Sequence, residues 1–193
     1  MKWTDGELAW SYTTLDEIDE IAAMLAKESV CEHVYFGPNS PELTREYFTP
    51  LVEPMQEALS KDDRPGNHIF TIRAADRFVG QCALVAVEYG DGNFIIGYQL
   101  DEPWWRRGFG TRACEFLVWY GFDVLGARRI SGDCLATNIG SARIPERYGF
   151  QPEGVHRRFF LVDGEPRDNL LYGLLSDELT LDLTVLRERF QSS

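Results

Sequence analysis

Apolar and polar residues alternate over residues 7–12, from Glu7-Leu8 to Ser11-Tyr12, and this predicts a first strand. The period then changes. Leu15, Ile18, Ile21, Ala22 and Leu25 recur at helical spacing behind Thr14 and Glu17, a capping-box pair. A second helix is predicted to open at Ser40-Pro41, with a stripe of Leu43, Tyr47, Phe48, Leu51, Met55, Ala58 and Leu59. Pro54 lies inside that stripe and is expected to kink or split the helix. After a polar loop at 61–66, three strand-like runs follow at 68–74, 77–88 and 93–100. Their short connections, with Asp91-Gly92 as a hairpin signal, predict an antiparallel meander.

Helical spacing returns in Ala113, Phe116, Leu117, Tyr120 and Val124, and Gly126 is placed to close that helix. A strand over 128–137 leads into a short helix from Asn138 to about Tyr148. Residues 150–162 and 167–175, joined at Asp163-Gly164, predict a long terminal hairpin. A last helix carries Leu179, Leu183, Leu186 and Phe190. The order β-α-α-β-β-β-α-β-α-β-β-α contains a meander and one β-α-β crossover. It predicts a mixed sheet in a single α/β domain over residues 1–193.

Composition narrows the function. Net charge is −12, with 19 basic and 31 acidic side chains, which argues against direct nucleic acid binding and permits steering of a cationic partner. Only Lys2, Lys27 and Lys61 are lysines; the other 16 basic residues are arginines. A salt-rich cytoplasm favours such a surface, and coding bias toward arginine produces it equally well. No apolar run suits a membrane span, and no apolar segment follows Lys2 as in a signal peptide. Cys31, Cys82, Cys114 and Cys134 show no metal spacing, and His33, His68 and His156 lie far apart. Buried free thiols, a cytoplasmic location and no metal are the expectations; a homodimer is left open.

The stretch Arg106-Arg107-Gly108-Phe109-Gly110-Thr111-Arg112 carries the chemistry. Glycines let backbone N–H groups converge where a helix begins, and a helix start with added arginines suits a phosphate. Gly108-x-Gly110-x-x-Ala113 resembles a dinucleotide fingerprint, but that turn needs a strand directly before it, and the preceding strand ends near Leu100. No phosphate-binding GxxxxGK[ST] occurs anywhere in the chain.

Residues 104–111 resemble the acyl-CoA turn of the GNAT N-acetyltransferases, with Trp105 at a position typical of the RimJ/RimL-type branch that acetylates ribosomal protein N-termini. Residues 137–154 and 160–175 resemble two further blocks of that branch. The likeness is clear over about 70–175; the first 65 residues agree only in element order. It implies a mixed, mostly antiparallel sheet flanked by helices, in which the strands over 93–100 and 128–137 splay apart to admit the pantetheine of acetyl-CoA. Gln99 and Leu100 are then its backbone partners. Arg106, Arg107, Gly108, Phe109, Gly110 and Thr111 hold the pyrophosphate, and Asn138 hydrogen-bonds the pantetheine side. Asn138 equally suits a helix cap.

The implied chemistry is direct attack of a primary amine on the thioester. Ser141 matches a serine near the CoA sulfur that can donate to the departing thiolate; a second capping hydroxyl is its plainer role. The tyrosine acid of many members is replaced by Pro145, and Tyr148 is one turn off. Two positions where members keep a glutamate base hold Ile95 and Phe160. Glu88, before the strand over 93–100, is the substitute, against a plain role as a solvated turn residue. An α-amine, with a pKa of about 8, sheds its proton to water far more readily than a lysine amine at about 10.4. An enzyme lacking a strong base therefore suits an α-amine, and a protein N-terminus is the expected acceptor. A drug- or metabolite-modifying acetyltransferase is the alternative, and a CoA-binding module without catalysis is a third. Cys134 has no histidine nearby in sequence and is not expected to act as a nucleophile. His156, Arg157 and Arg158 read as a solvated strand.

Overall fold

A computed structural model describes residues 1–192. Among the described residues, nine strands form one sheet: β1 (Lys2–Thr4), β2 (Leu8–Tyr12), β3 (His68–Ala74), β4 (Arg77–Ala86), β5 (Asn93–Leu100), β6 (Arg129–Leu135), β7 (Gln151–Val162), β8 (Glu165–Leu175) and β9 (Gln191–Ser192). Their spatial order is β7-β8-β6-β5-β4-β3-β2-β1-β9. Every described neighbour pair is antiparallel except β5 and β6, which the crossover makes parallel.

Helices cover both faces. On one side lie α1 (Ile18–Leu25), α2 (Glu28–Cys31) and α3 (Pro41–Ser60), which bury Ile18, Ile21, Val52 and Met55 against Ile69 of β3. On the other side α4 (Phe109–Trp119), continued by a π-helical turn at Tyr120–Val124, and α6 (Leu183–Arg189) cover an aromatic core. There Trp10 stacks on Phe116 at 4.8 Å, and Phe190 meets both edge to face. Because β3 is covered on both faces, it reads as a nearly continuous apolar run. The short α5 (Ile139–Glu146) follows β6.

Most expected elements are present, with local corrections. Thr14 N donates to Glu17 Oε2 at 2.9 Å, as a capping box requires, but Leu15 is exposed. Ser40 caps α3 by accepting from Leu43 N at 3.2 Å. This helix is not split at Pro54: it runs through Pro50 and Pro54 to Ser60. Both prolines lie on its exposed side, where water can satisfy the carbonyls they leave unpaired. The buried stripe is Thr44, Phe48, Val52 and Met55, while Leu43 and Tyr47 are exposed. Val124 is exposed as well. The short strands β1 and β9, at one end of the sheet, and the short α2 have no sequence counterpart, because two to four residues show no period.

Candidate active site

The site is built where β5 and β6 part. Their parallel pairing covers Asn93–Arg129, Phe94–Ile130 and Ile95–Ser131 and goes no further. Beyond it, residues 96–100 and 132–135 diverge. This is the expected splay, and its cause is local: β5 turns into Pro103 and the glycine turn, while β6 continues to pair with β8 through Leu135. Gly80 fixes the end of β5, since a Cβ there would lie 2.2 Å from Gln99 O.

A cleft of about 470 Å³ fills the opening on the α4 side. Gln99, Leu100, Arg106, Gly108, Phe109, Gly110, Thr111, Asn138 and Ser141 all line it. At its base Gly108 adopts φ +77° as the residue before α4, a conformation that favours glycine. The first backbone bond within α4 runs from Arg112 N to Gly108 O at 3.1 Å. The N–H groups of Phe109, Gly110 and Thr111 are therefore left for a ligand, at the positive end of an 11-residue helix.

The arginines are sorted differently from the sequence expectation. Arg106 lines the cleft, but Arg107 lies over the Trp104 ring at 5.1 Å and outside the lining. Arg112 is committed to Asp5 and Glu7, and so ties the β1–β2 hairpin to α4. In their place Arg143 of α5 and Arg147, the residue just after it, line the cleft. Leu100 is also partly engaged: Trp105 Nε1 donates to its carbonyl at 2.8 Å, taking one lone pair of a backbone group expected to meet the ligand.

Asn138 caps α5 by accepting from Ser141 N at 3.0 Å, and its Nδ2 donates to His33 O at 3.0 Å. That second bond pulls the 32–39 segment over the splay. Ser141 Oγ lies 3.4 Å from Tyr98 OH. Burial drives the Tyr98 phenol pKa far up, so it stays protonated as a donor beside Ser141.

A smaller space of about 110 Å³ passes Tyr98, Ser141, Cys134, Asp133 and His33 and leads to the opposite face of the sheet. There a cavity of about 520 Å³ lies between α3, the 32–39 segment and β5, again with Asp133 on its wall. Asp133 Oδ2 accepts from the buried Asn169 Nδ2 at 2.9 Å, which leaves Oδ1 for a ligand. Asp133 and His33 are site residues that sequence reasoning did not assign. Their signal is tertiary: β6 brings the first beside Ser141, and the Asn138 bond brings the second. Glu88 is not brought to the site. It is exposed in the turn between β4 and β5, at the paired end of β5, and lines neither space.

Cys134 is buried, and burial followed by the neighbouring Asp133 pushes its thiol pKa up to about 11, so a thiolate nucleophile is disfavoured. The other three cysteines are also buried and unpaired. Among the described residues no group of three or more His, Cys, Asp or Glu side chains is placed to hold a metal. No described helix is long and apolar enough to cross a membrane.

A parallel strand pair that parts beside a glycine-started helix, with a hydroxyl at the parting, is the arrangement that the resemblance to CoA-dependent acetyltransferases implies. The comparisons give the family. Residues 11–151 match the acetyltransferase (GNAT) domain, and the chain belongs to that family. It is 26% identical over 168 residues to an uncharacterized N-acetyltransferase, YoaA, of Bacillus subtilis, covering 82% of this chain and 95% of that protein. In fold it is similar to RimL, a ribosomal L7/L12 α-N-protein acetyltransferase in complex with coenzyme A. The TM-score is 0.76 at 18% identity, over 90% of this chain and 96% of that one. It is also similar to the spermidine N-acetyltransferase of Vibrio cholerae in complex with CoA and spermine. Here the TM-score is 0.74 at 15% identity, over 89% of this chain and 97% of that one. The mixed, mostly antiparallel sheet is thus the GNAT fold.

Proposed function

We propose that this chain moves an acetyl group from acetyl-CoA to a protein N-terminal α-amine by direct attack. The observation that carries the reading is a passage that links two spaces across the sheet. The smaller space connects them: it meets the cleft of the free α4 N–H groups at Ser141 and Tyr98, and the acceptor cavity at Asp133.

The cleft fits the donor. Phe109, Gly110 and Thr111 N–H groups with Arg106, Arg143 and Arg147 suit the pyrophosphate. Backbone of β5 beyond Ile95, which lacks a strand partner on the β6 side, suits the amide groups of the pantetheine. Asp133 Oδ1 holds and orients the amine. The neutral amine nitrogen forms a bond to the acetyl carbon as the carbon–sulfur bond breaks, and the protons that the nitrogen sheds pass to water. Ser141, with Tyr98 behind it, donates to the departing thiolate.

A small-molecule amine is the second reading, favoured by the roofing of the acceptor cavity by the 32–39 segment. Incubation with acetyl-CoA and matched sets of peptides and free small amines separates the two. The proposal expects peptides with free N-termini to show the higher kcat/KM and N-terminally blocked peptides to show none. Faster turnover of free small amines would overturn it in favour of the second reading.

A further inference from the structure

The acceptor cavity has an uneven wall. Among the described residues, Asp133 is its one charged side chain. Two strands away on β4, Gln81 also lines the cavity; it is buried, at 5% exposure, and its Oε1 has no partner although Nε2 donates to Gln99. Asp133 Oδ1 is therefore the counter-charge for one ammonium, and Gln81 Oε1 is a neutral acceptor on the same cavity wall. Past these two groups the wall is apolar: Phe48 and Leu51 from α3, Val85 from β4 and Ile95 from β5. At the outer end Tyr35 stacks face to face on Phe160 at 4.0 Å, so the approach to β7 is aromatic too. Tyr47 and Ile95 remain 66% and 42% exposed, an apolar lining open to solvent before any ligand arrives.

Resting on the reading of the protein as an amine acetyltransferase, we propose that its acceptor is a monocation whose amine carries a single apolar group, aliphatic or aromatic. A second cation a few ångströms from the first would lie among Leu51, Val85 and Ile95 without a counter-charge, which desolvation opposes. An apolar substituent at the same place gains by leaving water. For a peptide acceptor this means an apolar first residue; for a small amine it means a monoamine with a hydrocarbon body rather than a polyamine.

Acetyl-CoA turnover with two pairs of acceptors tests this. The first pair is a tripeptide beginning with leucine and its counterpart beginning with lysine. The second is phenethylamine and spermidine. The apolar member of each pair should have kcat/KM at least about tenfold higher, the scale set by burying one such side chain. Ile95→Asp, at a half-open position, should narrow or reverse the preference by giving a second cation a partner. Leu51→Asp provides a second version, and circular dichroism checks that each variant is folded. Equal rates within each pair, or preference for lysine and spermidine in the unmodified protein, would overturn the inference while leaving the acetyltransferase reading intact. Absence of acetylation with every amine would overturn both.

Discussion

Ser141 and Tyr98 stand 3.4 Å apart where the cleft opens into the passage to the acceptor cavity, and their order of importance is open to test. Ser141→Ala should lower kcat by about 10-fold to 10³-fold with acetyl-CoA affinity unchanged, the range for one positioned donor. Tyr98→Phe should lower it less, because Tyr98 acts through the serine hydroxyl. Unchanged kcat in Ser141→Ala, as measured by initial rates, would reduce Ser141 to a residue of the α5 cap. Proton removal is a separate question. With no dedicated base, kcat/KM should rise with pH and follow the pKa of each acceptor across a series. A fixed pKa that disappears in His33→Gln would instead make His33 the base. The cleft residues were legible in sequence because they sit in contiguous blocks. Asp133 and His33 were not, since nothing local to them announces that β6 and the 32–39 segment converge on Ser141. The arginine cluster misled for the same reason: three guanidinium groups adjacent in sequence are drawn to Trp104, to Asp5 and Glu7, and only once to the cleft.

At the scale of elements, the start of α4 and the end of β5 are the parts on which donor binding turns. Gly110→Glu places a carboxylate against the cleft, and Gly108→Glu forces a side chain onto a φ of +77° beside it. Each should abolish CoA binding measured by calorimetry while the far-ultraviolet circular dichroism stays native. Arg112→Gln is the control. It should leave CoA affinity within about twofold and cost roughly 1–3 kcal/mol of stability, because it strands the buried Asp5 carboxylate. Loss of CoA affinity in Arg112→Gln would return that residue to the binding site. The main strands and helices were legible because each repeats its period over several turns or alternations. Helix α3 was misjudged because proline breaks a helix only when its orphaned carbonyls cannot reach water, and exposure is not a local property of sequence.

Across the whole molecule, acidity and a buried histidine set the response to pH. The Tyr12 hydroxyl bridges His68 Nδ1 at 2.9 Å and Tyr120 OH at 2.6 Å in the core. Burial, helped by Arg64, lowers the His68 pKa from 6.5 to about 4. The unfolded chain therefore takes up a proton near pH 6.5 that the folded protein refuses until about pH 4. The stabilising effect is complete above 6.5 and is lost as pH falls toward 4, by about 3 kcal/mol in all. Urea unfolding at about pH 7.5 and about pH 5 should show roughly 2 kcal/mol of this loss, and His68→Gln should remove that component. An unaltered acid dependence in the variant would show that other groups carry it.

The central claim is that an amine attacks a CoA thioester directly, beside Ser141. Following free CoA thiol and N-acetylated product together, with acetyl-CoA and a peptide bearing an apolar N-terminal residue, tests it most directly. The account predicts one thiol released for each amide formed, no thiol release without the amine, and parallel loss of both in Ser141→Ala. Thiol release that proceeds without an amine, or an acetyl group retained on the protein, would contradict it.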